Sequence, residues 1–267
     1  MFNKRMHRIL AILSITTPND TDSPQSWRAA AIPLVEDRLG LLEEMTEIAA
    51  TAVYCDDAWV RRGLKKAGAM VVAASKKQPS QALVYRETLR ALEDAEEEFF
   101  DLVLRVHWQA TLAVADDYRN VLDTLLRSPG LVDSVVGVYP QRARLWRSHG
   151  GLAADLSADM TWDWRNTYYV YAHVAEVTWV ENFWKYRRID CGKVGLCALP
   201  PGRCLQVRQP ADLAWAERVC DLAASQDVLP VLYDCGLEYR EEEEFALQQE
   251  EEERCLLELS KLAMGEE

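Results

Sequence analysis

Asp155, Asp159 and Asp163 stand at i, i+4 and i+8. On a helix that spacing lines three carboxylates along one face, a hard-oxygen set suited to a divalent cation, and it equally describes a solvated face. Arg142, Arg144, Arg147 and His149 concentrate positive charge beside Gly150 and Gly151. Guanidinium clusters pair with phosphate or carboxylate, so this patch would take an anionic ligand or the chain's own acidic tail. The cysteines are Cys55, Cys191, Cys197, Cys204, Cys220, Cys235 and Cys255, an odd set with no Cys-x2-Cys pair. That argues against a zinc ribbon and a secreted disulfide framework, and fits reduced thiols in a cytoplasm. Cys191, Cys197 and Cys204 are spaced too widely for a metal knuckle and no histidine joins them. No P-loop, GxGxxG, Ser/His/Asp order or Cys/His pair points to hydrolase or dehydrogenase chemistry.

Such residues need a scaffold, and the periodicity predicts one. Arg8–Ile15 reads as a buried strand and Thr16–Ser26 as a loop, with Pro18 and Pro24. Helical spacing runs over Pro33–Ala50. A strand at Ala52–Tyr54 leads to Asp56 or Asp57, either of which can cap a helix over Ala58–Ala67 that stops at Gly68. Strands follow at Ala69–Ala73, Phe100–Val106, Ser134–Tyr139 and Tyr168–Tyr171. Helices are expected at Gln81–Glu98, at Tyr118–Leu126 with Asp116 or Asp117 as its cap, and from Pro210 to Ala224. Strands alternating with helices predict an α/β fold with a mainly parallel sheet. Ligands of such sheets lie beyond the carboxyl ends of the strands, which draws attention to the loops after Ile15, Tyr54, Val106 and Tyr139.

The 267 residues carry 30 Lys and Arg against 43 Asp and Glu, a formal charge of −13. A phosphate-backbone binder needs a basic footprint, so nucleic acid is not an expected partner. No apolar run reaches the ~18 residues of a membrane span, and no membrane association is expected. Met1–Ile15 lacks a small-residue cleavage site, so a secretory signal is not expected. Glu241–Glu244 and Glu250–Glu253 hold eight of the carboxylates. Residues 241–263 contain no Pro or Gly and read as one long acidic helix. Phe245, Cys255, Leu256, Leu259 and Leu262 can form an apolar stripe along it, for packing on the body or for an oligomer contact. The expected division is a body at residues 1–236 and an acidic helical tail at 237–267.

Four segments in order resemble the acylneuraminate cytidylyltransferases, which activate acidic sugars with CTP. VYCDDAWVRRGLKKAGAMVV (Val53–Val72) is similar to the family's strand, Thr-Asp-Asp turn, helix and strand. Pro79–Asp117 is similar to its helix, strand and Gln-Pro-Thr-Ser-Pro-Leu loop. LVDSVVGVYP (Leu131–Pro140) resembles its next strand, and Gly192–Val219 resembles the closing stretch with an Asp-Ile-Asp motif. The resemblance covers roughly Val53 to Ala224. It implies a three-layer nucleotide-sugar-transferase-like domain and, in most relatives, a dimer.

Departures from the family pattern bear on chemistry. The family's Gly-Ser-Lys loop holds the triphosphate; the equivalent stretch here has no Gly, no Lys and only Arg28. Gln206, Val207 and Arg208 replace the Asp-Ile-Asp that holds magnesium, exchanging anionic oxygens for an amide and a cation. His107, Trp108, Gln109, Ala110, Thr111 and Leu112 replace the nucleotide loop. Trp108 suits a stacked base or a core aromatic equally. Asn166 falls where the family places a sugar-facing Asn, but Tyr168 follows closely and would crowd a sugar.

By this resemblance the ligand-binding set is Arg28, Asp56, Asp57, His107, Gln109, Asn166, Gln206 and Arg208, with no catalytic and no metal residue. The expected protein keeps the scaffold and binds a nucleotide, an acidic sugar or a partner protein without catalysis, needs no cofactor, and forms a homodimer or a complex. Two alternatives stand beside it. One is an active cytidylyltransferase using CTP and Mg²⁺ at a rebuilt site. The other is a structural protein assembling through its C-terminal helix.

Overall fold

The computed structural model describes residues 7–17, 24–77, 79–96, 99–141, 146–149, 152–155, 168–207 and 212. All of them lie in the first of two units into which the chain divides, Met1–Cys220. The strand β1 (Ile9–Ile15) is apolar at nearly every position because it is covered on both faces. Ile9, Ala11, Leu13 and Ile15 point into one core, and Leu10 and Ile12 into the other.

Around β1 the sheet grows by crossovers. It pairs in parallel with β2 (Ile48–Cys55) and with β4 (Leu102–Val106), and β2 pairs in parallel with β3 (Val71–Ala73). The long strand β8 (Tyr168–Trp179) runs antiparallel between β4 and β5 (Ser134–Gln141), and β9 (Val194–Ala198) pairs in parallel with β5. The seven-stranded order is β3-β2-β1-β4-β8-β5-β9, and β6 (Trp146–His149) and β7 (Leu152–Asp155) form a separate antiparallel pair.

Helices close both faces. Buried side chains of α1 (Pro24–Glu43), α2 (Ala58–Lys66) and α4 (Ala115–Leu126) share a core with one face, through Trp27, Val35, Leu64, Tyr118 and Leu125. The helices α3 (Gln81–Glu96) and α5 (Val180–Tyr186) cover the other, through Tyr85, Leu89 and Phe183. The expected three-layer α/β domain with a mainly parallel sheet is therefore present.

Several boundaries differ from expectation. The first helix begins at Pro24 rather than Pro33, because a proline at the first helical position gives up an N–H that would bond nothing. Pro33 lies inside it on an exposed position, flanked by buried Ala31 and Val35. The apolar spacing does not carry the helix to Ala50; Ile48–Cys55 pairs with β1 instead, after a turn in which Ile48 N–H donates to the Met45 carbonyl. Asp57 does cap α2, taking the N–H groups of Trp59 (2.8 Å) and Val60 (2.9 Å). Gly68 ends it with φ +89°. At α4 neither aspartate is the cap residue. Val114 is, and Asp117 reaches back from the first turn to accept its N–H at 2.9 Å. The aromatic strand extends eight residues past Tyr171, and α5, β9 and the β6–β7 pair were not expected. The helix from Pro210 and the acidic tail lie outside the described residues.

Candidate functional site

The parallel strands β1, β2 and β4 deliver their carboxyl ends, Ile15, Cys55 and Val106, to one edge of the sheet. Two groups of side chains gather there.

In the first, Asp56 fastens the segment after β1. Its carboxylate accepts the Thr17 main-chain N–H at 2.9 and 3.1 Å and the Thr17 hydroxyl at 2.8 Å. Asp57 turns one oxygen to the start of α2 and the other to Arg28, which donates through Nε at 2.9 Å, with Nη2 at 2.8 Å. Burial pushes the Asp57 carboxyl up, but the Val60 N–H, Arg28 and the Trp59 N–H outweigh it and hold it below the ordinary value. Asp57 and Arg28, the latter in the first turns of α1, are thus engaged with each other, and both aspartates of the turn with main chain. Arg61 donates to the Cys55 carbonyl at 3.1 Å.

The second group surrounds β4 and β8. His107 Nε2 lies 2.8 Å from the Tyr171 hydroxyl and 3.3 Å from Glu176 Oε1. The Tyr171 hydroxyl donates to Glu176, and Arg105 Nη1 donates to the same carboxylate at 2.8 Å. A neutral imidazole has one N–H, so Nε2–H to Tyr171, hydroxyl to Glu176, and Arg105 to Glu176 forms a consistent chain. Burial pushes His107 down to about 4, against the pull of Glu176. A bulge in β8 makes this possible: Val136 pairs with Glu176 but Val138 with Tyr171, and His173 within the bulge takes φ +50°. Gln206 donates its amide to the His173 carbonyl at 2.8 Å, and Val207 N–H donates to the Gln109 carbonyl at 3.0 Å.

Arg38 holds the loop after β4. It is buried, and donates to the carbonyls of Ala110 (3.1 Å), Thr111 (3.2 Å) and Ala113, to the Tyr118 hydroxyl and to Asp37. Opposite signs meet again at Asp117, which pairs with Arg203 at 3.0 Å. Lys76 and Lys77 are exposed in the loop after β3, the cations that the described carboxyl-edge loops leave in solvent.

Of the expected ligand-binding residues, the fold joins Arg28 with Asp57 beside Asp56, and brings His107, Gln109 and Gln206 into one neighbourhood around His173. Asn166 and Arg208 lie outside the described residues, as do Arg142, Arg144, Asp159 and Asp163; nothing is described of the side chains of Arg147, His149 and Asp155. Trp108 is a core residue, meeting Trp27 edge to face at 6.4 Å. Cys55, Cys191, Cys197 and Cys204 are buried free thiols, and burial raises Cys55 and Cys204 to about 12. Among the described residues no three His, Cys, Asp or Glu side chains converge in a metal-holding group. Sequence reasoning missed Arg38, Arg105, Tyr171, Glu176, Lys76 and Lys77. Arg105 and Glu176 carried a signal, since each is a charge inside an otherwise apolar strand.

No family model matches the sequence, and no curated protein matches it. Solved structures do. The 4-diphosphocytidyl-2C-methyl-D-erythritol synthase of Anaerococcus prevotii superposes with a TM-score of 0.53 at 12% identity, covering 80% of this chain and 96% of that one. A second 4-diphosphocytidyl-2C-methyl-D-erythritol synthase gives 0.53 at 13% identity, over 80% and 98%. A CMP:2-keto-3-deoxy-manno-octonic acid synthetase, solved with CTP, gives 0.52 at 12% identity, over 82% and 99%. No helix among the described residues is long and apolar enough to cross a membrane. A seven-stranded, mostly parallel sheet between two helical layers, with the antiparallel β8 in its interior, is the architecture of this chain, and its fold is that of the cytidylyltransferases.

Proposed function

We propose that this protein binds a cytidine nucleotide or a related acidic ligand at the carboxyl edge of its sheet without transferring a nucleotidyl group. One observation carries the reading: three charges of the expected ligand-binding set are engaged inside the fold, Arg28 with Asp57 and Asp56 with Thr17. Nucleotidyl transfer rests on positioning and on charge stabilisation of the phosphates, so a site whose charges cancel internally has little left for the transition state. Lys76 and Lys77 supply the attraction for an anion, and the structural likeness to a synthetase solved with CTP makes a cytidine nucleotide the first ligand to try.

In this reading the chain is a pseudoenzyme of the cytoplasm, acting without a cofactor and working as a homodimer or with a partner protein. Residues 1–236 form the body, and the acidic tail at 237–267 contributes to assembly. The active alternative requires Mg²⁺ and CTP. Its support is the buried His107–Tyr171–Glu176 chain, the kind of hydrogen-bonded polar group that catalytic sites also use.

A melting-temperature series with CTP, CMP and buffer, paired with a pyrophosphate-release assay containing CTP, Mg²⁺ and nonulosonic acids, tests it. Stabilisation by CTP without pyrophosphate is the expected result. Pyrophosphate release would install the active alternative. No response to nucleotide, together with an oligomeric mass that depends on Leu256 and Leu259, would install the structural one.

A further inference from the structure

In a chain with a formal charge of −13, residues 58–86 contain seven Lys and Arg and no Asp or Glu. The fold gathers this stretch at one end of the sheet, as α2, β3, the loop after β3 and the start of α3. Val60 and Leu64 are the buried residues of α2, and its outward face presents Trp59, Arg62, Lys65 and Lys66. Arg62, Lys65, Lys66, Lys76 and Lys77 are exposed and form no ion pair among the described residues. The carboxylates that bound the stretch are used elsewhere. Asp57 serves Arg28 and the α2 amides, and Glu87 takes the Tyr54 hydroxyl at 2.6 Å and the Ser75 N–H at 3.3 Å. Glu36 and Glu43 of the neighbouring α1 make no ion pair with α2.

The same end of the sheet has an open main-chain edge. β3 stands last in the strand order, so one of its sides is unpaired. On the other side the Met70 carbonyl accepts the Val53 N–H at 2.9 Å, and the Ala74 N–H donates to the Cys55 carbonyl at 3.1 Å. Residues 70 and 74 thus face β2, and by alternation Val71 and Ala73 direct their N–H and C=O groups away from it. Among the described residues no main-chain bond takes those groups. Val71 packs into the core that α2 shares, and Val72 into the core that α3 shares, so the edge is held between two helices. Trp59 and Met70 are large apolar side chains left exposed in this region, at 46% and 42%.

Free strand groups, uncompensated cations and exposed Trp and Met are the features of a protein-binding surface. A lipid surface offers no strand, and α2 has already buried its apolar face. A nucleic acid is repelled by the charge of the chain as a whole. Two copies pairing through this edge would set like charges face to face. We infer that the β3 edge binds an acidic segment of another protein, which adds to the sheet as an extended strand beside the cations of α2. The inference is independent of the nucleotide reading, and Lys76 and Lys77, which that reading uses, stay unchanged in its test.

The probe is a short peptide of alternating Glu and Val, labelled at its amino end and titrated with the full-length protein by fluorescence anisotropy. Three controls accompany it: alternating Gln and Val, which lacks the charge; alternating Glu and Pro, which keeps the charge but cannot pair as a strand; and two other polyanions, an oligothymidylate and phosphatidylserine vesicles. The Glu-Val peptide should bind, and the Gln-Val and Glu-Pro peptides should each bind at least about tenfold more weakly. The triple variant Arg62→Ala/Lys65→Ala/Lys66→Ala should weaken the Glu-Val peptide at least about tenfold, with CTP binding unchanged and the melting temperature within about 1 °C, because these side chains are exposed. Ala73→Pro removes an outward N–H and should weaken the Glu-Val peptide about threefold, without a matching effect on the Glu-Pro peptide. The inference is overturned if the Glu-Pro peptide, the oligothymidylate or the vesicles bind as tightly as the Glu-Val peptide. It is equally overturned if the triple variant binds like the parent, or if the Glu-Val peptide does not bind at about 1 mM protein.

Discussion

Arg28 and Asp57 are joined twice, through Nε at 2.9 Å and Nη2 at 2.8 Å, while the other oxygen of the same carboxylate caps α2. The pair ties the start of α1 to the start of α2 across the carboxyl edge of β1 and β2. A cation at this place can serve a phosphate or serve Asp57, and here it serves Asp57.

Asp57→Ala removes both the cap and the ion pair, and should destabilise the protein by about 1–2 kcal/mol from the cap alone. Asp57→Asn keeps an acceptor for the α2 amides and should cost less. The carboxyl is held below its ordinary 3.8, so its contribution is present above that pH and is lost as pH falls through the folded value. Urea unfolding of the three proteins at pH 7 and at about pH 2 checks the order and its convergence in acid.

His107 gives a second pH dependence with its own window. Its ordinary pKa of 6.5 is pushed to about 4 by burial, so the unfolded chain takes the proton first. Stability should be full above pH 6.5 and decline as pH falls from there toward 4. His107→Gln should flatten that part of the profile. A profile of the parent that stays flat between pH 6.5 and 4.5 would contradict the buried neutral imidazole.

Arg38→Met leaves three carbonyls of the loop after β4 without their donor and should cost roughly 3 kcal/mol, with Arg38→Lys intermediate. Because the loop carries His107 and Gln109, nucleotide binding should fall along with stability. Denaturant midpoints and CTP titrations on the same samples read both.

Lys76→Glu/Lys77→Glu should separate binding from folding. Both side chains are exposed, so the melting temperature should stay within about 1 °C of the parent. Affinity for CTP should drop at least about tenfold, and by less at high salt, where screening already weakens the attraction.

The fold was legible where each strand had to be apolar on both faces. Ile9–Ile15 and Leu102–Val106 read as buried strands because the runs are short for a helix and almost wholly apolar. Helix ends were legible at Asp57 and Gly68, where local chemistry decides, and were misplaced at Pro24 and Ile48, where packing decides. The bulge in β8 is a matter of pairing between distant strands, so nothing local to His173 announced it, and the His107–Tyr171–Glu176 chain it creates was invisible too. The engagement of Arg28 by Asp57 spans 29 positions and likewise needed the folded chain. Asp56 and Asp57, which the resemblance offers as ligand-binding residues, have Thr17, Arg28 and the amides of α2 as their described partners.

The central claim is binding without transfer, and calorimetric titration of CTP with Mg²⁺ and a nonulosonic acid present, followed by ³¹P spectroscopy of the same sample, tests it most directly. Heat of binding and an unchanged triphosphate spectrum are expected. Conversion of CTP to a CMP-sugar and pyrophosphate, or the absence of any heat of binding, would contradict it.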